Sequence, residues 1–296
     1  MAGAAMTAFV VFNPNSAGGR TGRDWQAIEE ALEQVFPLPS FFVTTAPGQA
    51  ARVVRDALRD GHMEIIAVGG DGTINEALNG FFDRGVAMTP DAVFNFVHNG
   101  DTSTICRHFG LPPGWRAGVA HLKTARIRKT DVGRVACLSP SGAPVSRLFL
   151  AQASFGLSGS VAQAMGRSRI ARLFGHGFAK RLHGAAALWR WRETRVRLRA
   201  DGHDEIAGIA SVALSPRGGA FDLSVLGGRG KHRLLRDLAA QAQGDAPGLR
   251  RLRSARLTAA PTLDTQGMVL VETDGECAGT LPATFEIYPN AINLRI

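Results

Sequence analysis

The feature that most constrains this chain is an apolar strand sequence that runs straight into glycines. Glu64-Ile65-Ile66-Ala67-Val68 leads into Gly69-Gly70-Asp71-Gly72-Thr73, and helical apolar spacing follows from Thr73 to Phe82. A strand, a glycine turn and a helix start form an arrangement suited to phosphate. Glycines allow positive φ and close backbone approach, and the helix start offers unpaired N–H groups at the positive end of its dipole. Thr73 can cap the helix or donate its hydroxyl. Asp71 can orient a metal, a water or an attacking hydroxyl, or serve only as a cap in a tight turn. The pattern is neither a Walker motif nor a G-x-G-x-x-G fingerprint.

The flanking sequence alternates strand and helix. Ala8 to Phe12 reads as a buried strand ending in the loop Asn13-Pro14-Asn15-Ser16; Asp24 to Val35 is helical, Phe41 to Val43 a strand, Ala51 to Leu58 helical, and Ala92 to Val97 a strand. This order predicts an α/β domain over residues 1–130, with helices on the faces of a parallel sheet. Beyond it, Asp131 to Cys137, Ser146 to Ala153, Thr194 to Leu198, Ile206 to Leu214, Phe221 to Leu226 and Met268 to Glu272 are strand-like and separated by Gly and Pro. Residues 131–296 are therefore expected to form a mainly antiparallel β-sandwich. Late in that stretch, Asp274-Gly275 is a turn dipeptide that would present two carboxylates, Asp274 and Glu276, at a loop tip, either as a solvated hairpin or as catalytic groups.

Charge narrows the partners. A net charge of +9, from 34 Lys and Arg against 25 Asp and Glu, draws a protein toward nucleotides, nucleic acid or anionic membrane. The chain carries no zinc finger or RNA-binding box, which argues against nucleic acid. No apolar run reaches membrane-spanning length and the start lacks signal-peptide character, so a cytoplasmic location is expected. Cys106, Cys137 and Cys277 are too widely spaced for a disulfide framework or a metal motif and read as buried thiols.

These motifs resemble the diacylglycerol kinase, sphingosine kinase and NAD kinase superfamily, and most of all the bacterial lipid kinases of the diacylglycerol kinase catalytic-domain type. Asn13 to Arg20 is similar to the family's opening Asn-Pro-x-Ser-Gly-x-Gly loop, Thr44 to Ala50 to its Thr-rich turn, and Gly69 to Asn75 to its main nucleotide loop. Phe155-Gly156-Leu157-Ser158-Gly159 resembles the opening of the lipid-binding domain. Glu272 to Glu276 and Ile287 to Ala291 resemble the closing strands. The resemblance implies ATP and Mg²⁺ as cofactors, bound by a nucleotide site of Asn13, Ser16, Thr44, Gly69, Gly70, Asp71, Gly72, Thr73, Ile74, Asn75, Gly100 and Asp101. It implies Glu276 as proton acceptor from a lipid hydroxyl, with Asp274 assisting in orientation or as a metal ligand. Asp71 is the alternative base. Phosphoryl transfer needs chiefly positioning and charge neutralisation, which such a set supplies.

Two stretches depart from the family pattern. His98 to Arg107 stands where Pro-Leu-Gly-Thr-Gly-Asn-Asp-Phe-Ala-Arg is expected, so Asp101 replaces a threonine; it would repel a phosphate or, with Mg²⁺, become a ligand. His98 and His108 read as loop histidines or as further ligands. Around Leu214 to Asp222 only Gly219 and Asp222 keep register. Gly218 takes the place of the first acidic position, leaving Asp222 as the candidate metal ligand there. The stretch from Ser168 to Arg192, rich in Arg and carrying Trp189 and Trp191, suits either an amphipathic helix packed on its own domain or a surface on anionic lipid. The expected partners are a lipid alcohol, foremost diacylglycerol, and peripheral anionic membrane; a homodimer is compatible. A catalytically silent nucleotide- or lipid-binding homologue and an NAD kinase are the alternatives.

Overall fold

The computed structural model describes residues 8–83, 85–100, 102–166, 193–227 and 249–296, with the single positions 186, 230 and 234. Asp101 and most of the basic stretch 168–192, including Trp189 and Trp191, lie outside them. The chain divides into two units, one built from the segment ending at Thr130 together with Asn290–Ile296, the other from Asp131–Pro289. The closing residues, read from the sequence as part of the second domain, thus belong to the first.

In the first unit, β1 (Ala8–Phe12), β2 (Ser40–Val43), β3 (Glu64–Gly69) and β4 (Val93–His98) alternate with α1 (Arg20–Glu33), α2 (Gln49–Arg59) and α3 (Asp71–Gly80), before α4 (Thr104–Phe109) and α5 (Trp115–Leu122). β1 pairs in parallel with β2 and with β3, and β3 with β4. The central strands are apolar throughout because both faces are covered: Ile65, Ile66, Ala67 and Val68 are fully buried. Helix α2 turns Ala50, Val53, Val54, Ala57 and Leu58 inward, the spacing of a single helical face. The end of the chain adds a further parallel strand, Asn293 facing Val93 and Leu294 facing Phe94. Arg295 fastens it, donating to Asn95 Oδ1 at 2.7 Å and to Glu64 Oε1 at 2.5 Å.

The second unit contains β5 (Ile127–Leu138, entering from the first unit), β6 (Pro144–Phe149), β7 (Ala153–Gly156), α6 (Leu157–Gly166), β8 (Thr194–Ala200), β9 (His203–Arg217), β10 (Ala220–Gly227), β11 (Leu249–Ser254), β12 (Arg256–Pro261), β13 (Leu270–Thr273) and β14 (Glu276–Arg295, leaving toward the first). Six antiparallel ladders close on themselves: β9 pairs with β8, β8 with β12, β12 with β14, β14 with β13, β13 with β7, and β7 with β9. The expected two-sheet sandwich is therefore a closed circuit of strands around one apolar core that includes Phe149, Phe155, Phe221 and Phe285. Closure leaves fewer unpaired edges than two open sheets would. The single strand expected from Ser146 to Ala153 is broken into β6 and β7 at Leu150–Gln152. Among the described residues, no helix is long and apolar enough to cross a membrane.

Candidate nucleotide site and the closing hairpin

Parallel strands that end together place their following loops side by side, and ligands of such sheets bind outside those carboxyl ends. In the first unit Phe12 faces Val68 and Gly69 faces His98, so the loops after β1, β3 and β4 leave from one edge. The ladder continues into them: Asn13 N–H donates to Val68 O at 3.1 Å and Asn99 N–H to Gly69 O at 2.9 Å.

The glycine turn has two unlike positions. A Cβ on Gly69 would stand 2.7 Å from Thr73 Oγ1, so that glycine permits the following turn to fold back over it. A Cβ on Gly70 would meet nothing within 4 Å, and its backbone is extended with φ −88° and ψ 178°. The peptide at Gly70 is thus open to a ligand at the start of α3, where N–H groups and the helix dipole favour an anion. Asn13 Nδ2 donates to Thr73 Oγ1 at 3.3 Å, tying the first loop to this turn. Ser16 holds that loop's shape, its hydroxyl donating to Asn13 O at 2.8 Å and lying 2.6 Å from Thr21 Oγ1. Thr44 donates its hydroxyl to Phe12 O at 3.2 Å and is buried.

Asp71 is the charged centre of this edge. Its Oδ1 accepts from Ser103 Oγ at 2.5 Å and its Oδ2 from Thr104 N–H at 2.6 Å, and His98 Nε2 lies 3.9 Å away. The carboxylate therefore sits at the N-terminus of α4, where Ser103 is also the cap, accepting from Cys106 N–H at 2.8 Å. Burial pushes the Asp71 carboxyl above its ordinary range, opposed by the Ser103 hydroxyl, the Thr104 and Ile105 amides and Arg107. Ser103 lies in the stretch His98 to Arg107 that departs from the family pattern, and the structure makes it the link between the two loops. Among the other expected contacts, Gly72 lies in the first turn of α3, Ile74 is a fully buried core side chain, and Asn75 is buried, its carbonyls accepting from Asn79. Gly100 packs against His98, whose Cε1 lies 2.8 Å from where a Cβ would be.

The second unit carries the other candidates. Asp274 and Gly275, with φ 50° and 93°, form the tight turn between β13 and β14 in which Thr273 faces Glu276. Asp274 is completely buried, contrary to the expected pair of carboxylates at a loop tip. Its Oδ2 accepts from Leu150 N–H at 2.9 Å, and its Oδ1 from Ala151 and Gln152 N–H at 2.9 and 3.1 Å. These are the amides freed where β6 breaks from β7, so Asp274 replaces the ladder there and its oxygens are committed to the backbone. Glu272, not singled out from the sequence as a site residue, accepts from Ser154 Oγ at 2.5 Å and from Gly275 N–H at 2.9 Å. Glu276 is exposed just beyond this clamped turn.

Of the two proposed metal ligands, Asp101 lies outside the described residues. Asp222 is exposed, with Arg253 Nε at 3.9 Å. Among the described residues, no group of three His, Cys, Asp or Glu side chains is placed to hold a metal ion. The residues around Asp222 thus do not fit a protein-built metal site.

A parallel α/β unit with an open glycine turn at the carboxyl edge belongs to the class of α/β folds that hold phosphate-bearing ligands at that edge. Residues 7–135 match the model of the diacylglycerol kinase catalytic domain, so this segment of the chain carries that domain. Its structure is similar to that of a diacylglycerol kinase from Bacillus anthracis str. Sterne, with a TM-score of 0.73 at 17% identity, covering 98% of this chain and 96% of the other. It is also similar to yeast NADH kinase solved with NADH, with a TM-score of 0.50 at 11% identity, covering 99% of this chain and 83% of the other. At these identities the likeness is one of fold. No curated protein matches the sequence.

Proposed function

We propose that this protein is a lipid kinase that transfers the γ-phosphoryl group of ATP to a lipid hydroxyl, with diacylglycerol as the acceptor. The observation that carries the reading is the open peptide at Gly70, inside the segment matched to the diacylglycerol kinase catalytic domain. The N–H groups at the start of α3 bind nucleotide phosphate, with Asn13 and Thr73 shaping the turn. Asp71 holds the second loop in place through Ser103 and Thr104. Glu276 takes the proton of the lipid hydroxyl as that oxygen bonds to the γ-phosphorus and the bond to the bridging oxygen of ADP breaks. Mg²⁺ carried by ATP supplies neutralisation of phosphate charge, a role that needs few protein ligands. The substrate is reached at an anionic membrane surface.

The test is transfer of label from ATP-Mg²⁺ to diacylglycerol in mixed micelles, beside Asp71→Asn and Glu276→Gln. Transfer lost in both variants supports the assignment. Label reaching NAD and not lipid selects the NAD kinase reading. Label reaching neither, with ATP still bound, selects a silent nucleotide-binding homologue.

A further inference from the structure

The hairpin joining β9 to β10 turns at Gly218 and Gly219, both in the left-handed region with φ 58° and 75°. Arg217 faces Ala220 across it, so this is a two-residue turn of the kind glycines favour. Its outward carbonyls are collected by one side chain. Arg253, which faces Asp222 in register on β11, donates from Nη2 to Arg217 O at 2.8 Å and to Gly218 O at 3.0 Å. The same guanidinium has its Nε 3.9 Å from Asp222 Oδ1. Asp131 holds the turn from another side, its Oδ2 accepting from Gly219 N–H at 2.8 Å.

Two backbone carbonyls and a carboxylate are the oxygen set that a hard divalent cation gathers. Here a guanidinium gathers them, with a fixed positive charge and several N–H donors in one plane. A Cβ on Gly218 would lie 2.9 Å from Arg253 Nη2, so any side chain at 218 would enter the space that Arg253 fills. The absence of a carboxylate at 218 and the presence of arginine at 253 are thus two sides of one arrangement. We propose that Arg253 is a built-in cation that closes this hairpin in place of a metal ion, so that Asp222 pairs with arginine and binds no divalent cation.

The test needs no enzymatic activity. Thermal unfolding of the full chain is followed in EDTA, in MgCl₂ and in CaCl₂, for the native protein, Arg253→Met and Asp222→Asn. The expected result is a native midpoint unmoved by EDTA or by either ion, and an Arg253→Met midpoint lower by a few degrees in all three solutions. A rise with metal that persists in Asp222→Asn arises elsewhere and leaves the hairpin metal-free, in support of the proposal. A rise with metal in the native protein that Asp222→Asn abolishes would overturn it. So would an Arg253→Met midpoint equal to the native one.

Discussion

Removing the carboxylate of Asp274 should loosen the second unit far more than an ordinary turn substitution. Three amides, of Leu150, Ala151 and Gln152, donate to its two oxygens at 2.9 to 3.1 Å. Leu150 and Ala151 are buried, so their N–H groups have no ready replacement. A buried donor left unsatisfied costs roughly 1–3 kcal/mol. Taking the low end, because water can enter the vacated space, Asp274→Gly should lose about 3 kcal/mol of stability. Asp274 also sits at φ 50°, which glycine adopts freely and alanine does not, so Asp274→Ala should lose about 1 kcal/mol more. For a unit of this size each kcal/mol moves the midpoint by about 2–4 °C, which puts the glycine variant about 6–12 °C lower. Urea unfolding followed by far-UV circular dichroism, with the thermal midpoint measured in parallel, reads both quantities. A glycine variant within about 0.5 kcal/mol of the native protein, the range of ordinary surface changes, would show that the three amides do not depend on Asp274. An alanine variant no worse than glycine would remove the backbone part of the reasoning.

Gly133 faces Phe149 across the β5–β6 ladder, and a Cβ there would lie 2.2 Å from the ring; Gly133→Ala should therefore cost about 1–3 kcal/mol in urea unfolding. Gly70→Ala meets no neighbour, so its thermal midpoint should stay near native while ATP affinity, read by calorimetry, falls about tenfold, or about 1.4 kcal/mol. Burial raises the Asp71 carboxyl above its ordinary value of 3.8, so the folded chain keeps a proton that the unfolded chain releases. Stability should decline as pH rises from about 3.8 through the folded value, and Asp71→Asn should abolish that decline. Unfolding curves across that acid range measure it; a native protein that gains on the variant as pH rises would contradict the sign.

The first unit was largely legible because its information is local. Each buried strand is a short apolar run, α2 shows one face at helical spacing, and the glycine turn is continuous in sequence. What sequence concealed depends on partners far along the chain. Leu150 to Gln152 read as strand because nothing nearby says that Asp274, 124 positions from Leu150, accepts its amide. Leu249–Ser254 and Arg256–Pro261 are strands rich in Arg or small residues, with little apolar alternation, and only their ladders to β10, β8 and β14 define them. Ile74 and Thr44 stand within matched motifs, yet the structure gives one to the core and commits the other's hydroxyl to Phe12. A signal for Ser103 was present: a serine before Thr104-Ile105-Cys106-Arg107 is a helix-start pattern that could have been read as a cap.

The return of β14 to the first unit has a consequence for how the chain is made. A ribosome releases β1 to β4 early, yet the partner along the free edge of β4 is Asn293 and Leu294. That edge emerges before its mate and stays open while the whole of the second unit is translated, at roughly 5–20 residues per second. An open strand edge invites foreign strands. A nascent chain paused anywhere in the second unit therefore carries an incomplete first unit. Stop codons late in the message would damage the first unit as well as the end they truncate.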